Sequence, residues 1–174
     1  MRGIERLNAL PAGEAEEALR ACCGSPEWAR RMAAARPFAS EDALLALAEE
    51  VWWELEEADW LEAFRSHPRI GEREAEAGQT ERERGWSAGE QAGAEAADGE
   101  TRAALAAGNR AYEERFGFIY IVCATGKSAE EMLSILSARL ANDPATELRV
   151  AAGEQARITA IRLHKLMASD REGG

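Results

Sequence analysis

Phe116-Gly117-Phe118-Ile119-Tyr120-Ile121-Val122-Cys123 is the one concentrated run of aromatic and β-branched residues in this chain, and whether it pairs as a strand decides the fold class. Propensity alone allows a buried strand there. A lone strand has no partner for its backbone groups, however, so the run is read as buried irregular backbone leading into a helix or a short extended piece. Both flanks are written in helix formers. Upstream, about Thr101 to Arg115 reads as helix, with Leu105 and Tyr112 seven apart and Gly108 and Asn109 weakening its middle. Downstream, Ser128 with Glu131 is a capping-box pattern that opens a helix through Met132, Ile135, Leu136 and Leu140. Asn142-Asp143-Pro144 closes it and starts a last helix, from Pro144 to about Met167, through Leu148, Ile158, Ile161 and Leu166.

Further outward the helical signal continues. Pro11 to Cys23 places Ala15, Leu19 and Cys22 on one face, and Gly24 stops it. Ser25 and Pro26 read as a cap and first helical residue for a short helix through Trp28 and Met32 that ends at Arg36-Pro37. Ser40 caps a longer one whose Leu44, Leu47, Val51 and Leu55 form a core-facing stripe, widened by Trp52 and Trp53. Another turn, about Asp59 to Arg65, meets His67-Pro68, where the residue before proline is biased out of helical geometry. Gly71 to Gly85 is nearly devoid of large apolar side chains, carries a run of Glu and Arg, and reads as a solvated loop or an exposed helix. Helix signals return at Ser87 and run through an Ala-rich stretch to Gly99. No internal repeat is evident, so the expectation is an all-α, single compact multi-helix domain over 1–174, with a core of about 7–167 and a polar tail at 168–174.

Composition excludes several classes of function. With 174 residues, 46% hydrophobic and 30% charged, the chain can bury a core and is too apolar for a disordered segment. Its formal charge is −11, from 32 acids against 21 bases, which repels nucleic acid and anionic membranes. No apolar run is long enough to span a bilayer and the first residues lack a secretory h-region, so a cytoplasmic protein with no nucleic-acid and no membrane partner is expected. Cys22, Cys23 and Cys123 lack Cys-x-x-Cys spacing and read as reduced, buried small hydrophobes.

Few residues are left to carry chemistry. His67 lies in Ser66-His67-Pro68-Arg69-Ile70-Gly71, where proline and glycine fix the backbone, and a side chain titrating near neutrality there suits a proton donor or acceptor. It can equally be a surface or capping histidine. His164, near the end of the last helix, reads as ordinary. Two histidines so far apart, with no acid or cysteine at ligand spacing, make a poor metal site. Lys127 and Lys165 are the only lysines, which disfavours Schiff-base chemistry, and no glycine-rich phosphate loop exists. Ser87-Ala88-Gly89-Glu90-Gln91 reads as a capping box, yet Gln91 also offers amide donors and an acceptor beside an acid at what would be a helix N-terminus. Arg162, four after Ile158 and four before Leu166, falls inside the apolar stripe and needs an anion, either a buried Glu or a substrate carboxylate.

His67-Pro68-Arg69-Ile70-Gly71, Glu90-Gln91 after Ser87, Phe116-Gly117-Phe118 and Arg162-Leu163, in that order, resemble the 2-oxo-4-hydroxy-4-carboxy-5-ureidoimidazoline (OHCU) decarboxylase family. Asn8-Ala9-Leu10, Cys22-Cys23-Gly24-Ser25, Trp28 and Arg36-Pro37-Phe38 extend the likeness over about Leu7 to Leu166. The resemblance implies an all-helical fold, commonly a homodimer, that acts in urate breakdown by converting OHCU to (S)-allantoin without metal or organic cofactor. It implies His67 as catalytic acid, with Glu90 and Arg162 completing the catalytic set. Pro68, Ser87, Ala88, Gly89, Glu90, Gln91 and Arg162 would then bind substrate. The backbone at Phe118, Ile119, Tyr120, Ile121, Val122, Cys123 and Ala124 would form the opposite wall. Ile119 stands where many members place a proline, no peroxisomal Ser-Lys-Leu tail or fused transthyretin-like domain is expected, and the cytoplasm fits that ending.

This reaction suits a site poor in cofactor motifs. Loss of CO2 leaves electron density that the neighbouring ring imine absorbs, so the substrate supplies its own sink. The protein needs only to orient the carboxyl group, read the amide edges and deliver one proton to one face. The competing readings are a non-enzymatic acidic helical interaction module, or a cofactor-free lyase or hydrolase acting on a related ureido compound.

Overall fold

The computed structural model describes residues 2–72, 79–95 and 97–168. Positions 73–78 of the stretch read as a solvated loop or exposed helix, and the tail after 168, lie outside them. Ten helices and no strand occur among the described residues: α1 (Gly3–Ala9), α2 (Ala12–Cys22), α3 (Pro26–Ala34), α4 (Glu41–Glu54), α5 (Glu57–Phe64), α6 (Glu81–Glu90), α7 (Ala92–Glu95), α8 (Gly99–Phe116), α9 (Ala129–Arg139) and α10 (Pro144–Ala168). The all-α expectation holds. Among the described residues no helix is long and apolar enough to cross a membrane. Two compact units emerge, Met1–Ala63 with Ala156–Gly174, and Phe64–Gln155.

In the first unit, caps and indole hydrogen bonds set the helix ends. Ser25 Oγ accepts from Trp28 N, with Pro26 at the first helical position of α3. Trp28, fully buried, donates from Nε1 to Ala48 O at 3.0 Å, which ties α3 to α4. Ser40 caps α4 as its sequence position predicted. The helix α1 was not signalled by periodicity, because its seven residues carry too few apolar repeats. It is anchored instead by polar contacts: Asn8 exchanges two 2.8 Å hydrogen bonds with the Phe38 backbone, and Arg36 Nη1 donates to Leu7 O at 2.8 Å and Leu10 O at 2.7 Å. Gly3 lies so close to Met167 O that a side chain there would clash. His164 is exposed and bonds Glu41 at 2.8 Å, in keeping with an ordinary surface histidine.

The second unit contains the stretch that decided the fold. Gly117, at φ +80°, ends α8 in the left-handed conformation, and residues 118–124 then run without regular secondary structure, with 119–124 buried. Side chains replace the missing β-ladder. Arg139 Nη1 donates to Ile121 O at 2.7 Å, and Lys127 Nζ donates to Cys123 O at 2.7 Å. Arg139 is buried between the rings of Tyr112 and Tyr120 and is bonded through Nε to Glu147 at 2.6 Å. Burial opposes its charge, but Glu147 and the two phenols together hold its pKa above the ordinary arginine value. Tyr112, Phe116, Phe118 and Tyr120 form one aromatic cluster around it, with ring centroids 4.7–6.2 Å apart.

One helix start differs from expectation. Ser87 does not open a helix; Thr80 does, through a capping box in which Thr80 Oγ1 accepts from Glu83 N and Glu83 Oε2 accepts from Thr80 N. Ser87 to Glu90 therefore form the last turn of α6, with Gln91 as its C-cap. Both Thr80/Glu83 and Ser87/Glu90 satisfy the same spacing rule, and the earlier box prevails.

Candidate active site

His67 follows directly on α5, with its N donating to Phe64 O at 3.1 Å, and Pro68 then turns the chain away. The corner after it is clamped at each backbone group that leaves the helix. Gln79 Nε2 donates to Ser66 O at 2.9 Å, Asn109 Nδ2 to Ile70 O at 3.1 Å, and Gly71 N to Gln91 Oε1 at 3.0 Å. Gly71 takes φ +93°, a conformation that favours glycine. Arg69 adds a forked pair with Glu113 at 2.8–3.1 Å. This corner owes its rigidity to four neighbours as much as to Pro68.

His67 is buried, 8% exposed, and its Nε2 lies 2.6 Å from Gln155 Oε1 on α10. Gln155 is fully buried. Ser87 and Gln91 are also buried, Glu90 is half-buried, and Ala88 and Gly89 are exposed on the last turn of α6. Gln91 spends its oxygen on Gly71 N, which leaves its NH2 as the group offered to a ligand. Ser87 to Glu90 close α6 where the sequence suggested a helix start, and the helix that begins after Gln91, α7, has only four residues. Ser87 Oγ accepts from Gln79 Nε2 at 2.9 Å. Pro68, Gly71, Ser87, Ala88 and Gln91 line one side of a cavity of about 800 Å³ that Arg84 and Arg102 also border.

Glu90 is within electrostatic reach of Cys123. Burial pushes the Cys123 thiol above its ordinary value, the Lys127 ammonium works against this, and the carboxylates of Glu154 and Glu90 reinforce it. Phe118 is half-buried against Phe64 and Tyr112, and the Tyr120 hydroxyl donates to Met132 O at 2.9 Å. What Tyr120 has left to offer a ligand is therefore main chain. Ile119, Ile121, Val122, Cys123 and Ala124 are all buried.

Arg162 belongs to the first unit, where it is 1% exposed and donates from Nη1 to Ala21 O at 3.3 Å. Its positive charge also acts on the Cys23 thiol. His67, Ser87, Glu90, Gln91 and the 118–124 stretch all belong to the second unit, but of these only Ser87 and Gln91 line the cavity of about 800 Å³. Sequence reasoning missed Gln155, Gln79 and Glu113. Gln155 had a signal: it stands seven residues before Arg162, in the same apolar stripe of α10. Among the described residues no three His, Cys, Asp or Glu side chains converge as a metal-ligand set.

Comparison with known proteins gives a consistent set of relatives. A sequence profile described as OHCU decarboxylase matches residues 8–164. The chain is 38% identical over 155 residues to the uric acid degradation bifunctional protein TTL of Arabidopsis thaliana, covering 88% of this chain and 47% of that one, so it spans about half of that relative. It is 35% identical over 134 residues to the 2-oxo-4-hydroxy-4-carboxy-5-ureidoimidazoline decarboxylase of Amia calva, covering 76% and 75% of the two chains. Among solved structures, an OHCU decarboxylase crystallised in the presence of (S)-allantoin superposes with a TM-score of 0.76 at 34% identity, over 88% of this chain and 98% of that one.

Proposed function

The chain belongs to the OHCU decarboxylase family, and from that premise we propose that it decarboxylates OHCU to (S)-allantoin in urate breakdown. The observation that carries this is the corner at His67–Gly71. The buried His67 precedes Pro68 and Gly71, the Gly71 amide donates to the Gln91 carboxamide, and Pro68, Gly71 and Gln91 line a cavity of about 800 Å³. A proton donor and an amide reader held in one rigid frame are what the reaction asks of a protein.

The C–CO2 bond breaks, its electron pair moves into the ring imine, and CO2 leaves. His67 supplies or relays the proton that completes the product on one face. Gln91 presents its NH2 to a carbonyl oxygen of the ring or ureido group, Glu90 orients the substrate hydroxyl or His67, and Arg162 steadies an anionic or carbonyl oxygen. Pro68 and Ser87–Gln91 form one wall and the backbone of 118–124 the other. A carboxylate gripped firmly in the ground state would leave more slowly, which favours Arg162 on the ring. No step calls for a cofactor. The two units are parts of a single domain over 1–174, a reading supported by the family profile running through both. The protein works as a homodimer in the cytoplasm, as the family likeness suggests.

The test is to generate fresh OHCU from urate with the two upstream enzymes, add the protein, and follow absorbance and circular dichroism. Accelerated, stereospecific appearance of (S)-allantoin is expected; decay at the spontaneous rate overturns the reading.

A further inference from the structure

We propose that Gln155 is a positioning residue for His67, fixing the ring with its proton on Nε2 so that Nδ1 is the nitrogen that carries and gives the catalytic proton. The inference rests on the function proposed above and goes beyond it by naming the atom that changes protonation. Its basis is the 2.6 Å contact between His67 Nε2 and Gln155 Oε1, made inside the protein by a fully buried carboxamide. A carbonyl oxygen only accepts, so a short hydrogen bond to it requires a hydrogen on Nε2. The neutral ring is thereby the Nε2–H tautomer, and the second hydrogen of the imidazolium sits on Nδ1. Giving up that proton returns the ring to neutral Nε2–H with no change at the Gln155 contact.

The chemistry of the partner suits an acid. A carboxylate at this position would stabilise the imidazolium and make it a weaker proton donor, whereas a carboxamide fixes orientation and tautomer without adding charge. The support also lies on a rigid element. Gln155 projects from α10, a helix of 25 residues, and the backbone flanking His67 is fixed by Gln79 at Ser66, Asn109 at Ile70 and Gln91 at Gly71. With its ring bonded to Gln155 and the flanking backbone tied down, the imidazole loses little orientational freedom before the reaction begins.

Histidine labelled with ¹⁵N tests this directly, because the chain has only two imidazoles and His164→Asn assigns the other. The wild-type protein is expected to show His67 as Nε2–H at a pH where the ring is neutral. Gln155→Met keeps the volume and removes the acceptor: the tautomer shifts toward Nδ1–H, and kcat falls about tenfold while KM stays within about twofold. Gln155→Glu restores an acceptor oxygen, and returns the Nε2–H signal with a larger kcat than the methionine variant. A wild-type ring protonated on Nδ1, or Gln155→Met with unchanged tautomer or unchanged kcat, overturns the proposal. The wild-type tautomer needs no variant to fold. A protein that shows Nε2–H but does not turn over OHCU overturns the reaction instead, and leaves the His67–Gln155 pairing standing.

Discussion

At the residue scale, His67 was singled out because proline and glycine mark its corner in the sequence, and the structure buries it against Gln155. His67→Ala is expected to lower kcat by at least about 100-fold, the usual worth of a positioned proton donor, with the helical circular dichroism unchanged. Turnover at the wild-type level in that variant removes His67 from the mechanism. Gln155 escaped notice for a physical reason. A glutamine in an Ala-rich helix reads as a solvent-facing helix former, and only its register with Arg162 betrays burial. The Ser87–Gln91 stretch was assigned to the start of a helix, whereas it forms the end of α6. Local spacing cannot decide between two capping boxes seven residues apart; Gln79 and Thr80, which tie the chain to Ser66 and Glu83, decide it.

At the scale of elements, nearly all helices followed from caps and apolar stripes. For 118–124 propensity favours strand, but the chain makes none, as the lack of a pairing partner in the sequence had indicated. Carbonyls of this stretch are held by Lys127, close by in sequence, and by Arg139, which lies on the following helix where no local pattern announces the contact. Removing Arg139 therefore reaches beyond one ion pair. Arg139→Met leaves the fully buried Glu147 carboxylate uncompensated and frees Ile121 O, and should cost about 3 kcal/mol or more in urea unfolding. Adding Glu147→Leu to it should recover much of that loss, since an apolar pair tolerates the same burial. If the single variant unfolds at the wild-type urea concentration, Arg139 is not what holds this stretch.

For the whole molecule, composition was sufficient to read all-α, while the division into two units was invisible, because it depends on chain segments that meet only after folding. The interior also sets a pH limit. Burial pushes the Cys23 thiol from 9.0 up to about 11, and burial likewise raises Cys123, Tyr112 and Tyr120. Such groups stay protonated when folded but ionise when unfolded, so their contribution is fully present below pH 9 and is lost as pH rises toward their folded values. Stability should thus decline above pH 9, each such group contributing up to about 1.4 kcal/mol per pH unit. Cys23→Ala should flatten the slope between pH 9 and 11 in chemical denaturation, and an unaltered slope would refute the assignment. The order of the units along the chain has one more consequence. Phe64–Gln155 is a single uninterrupted stretch, whereas the other unit needs both ends of the polypeptide. On the ribosome, the middle of the protein has all its parts once residue 155 emerges, while the beginning must wait for the last turns of α10 to be translated. Nascent chains stalled just after residue 155 clears the exit tunnel should accordingly resist protease in 64–155 while 1–63 is still cut.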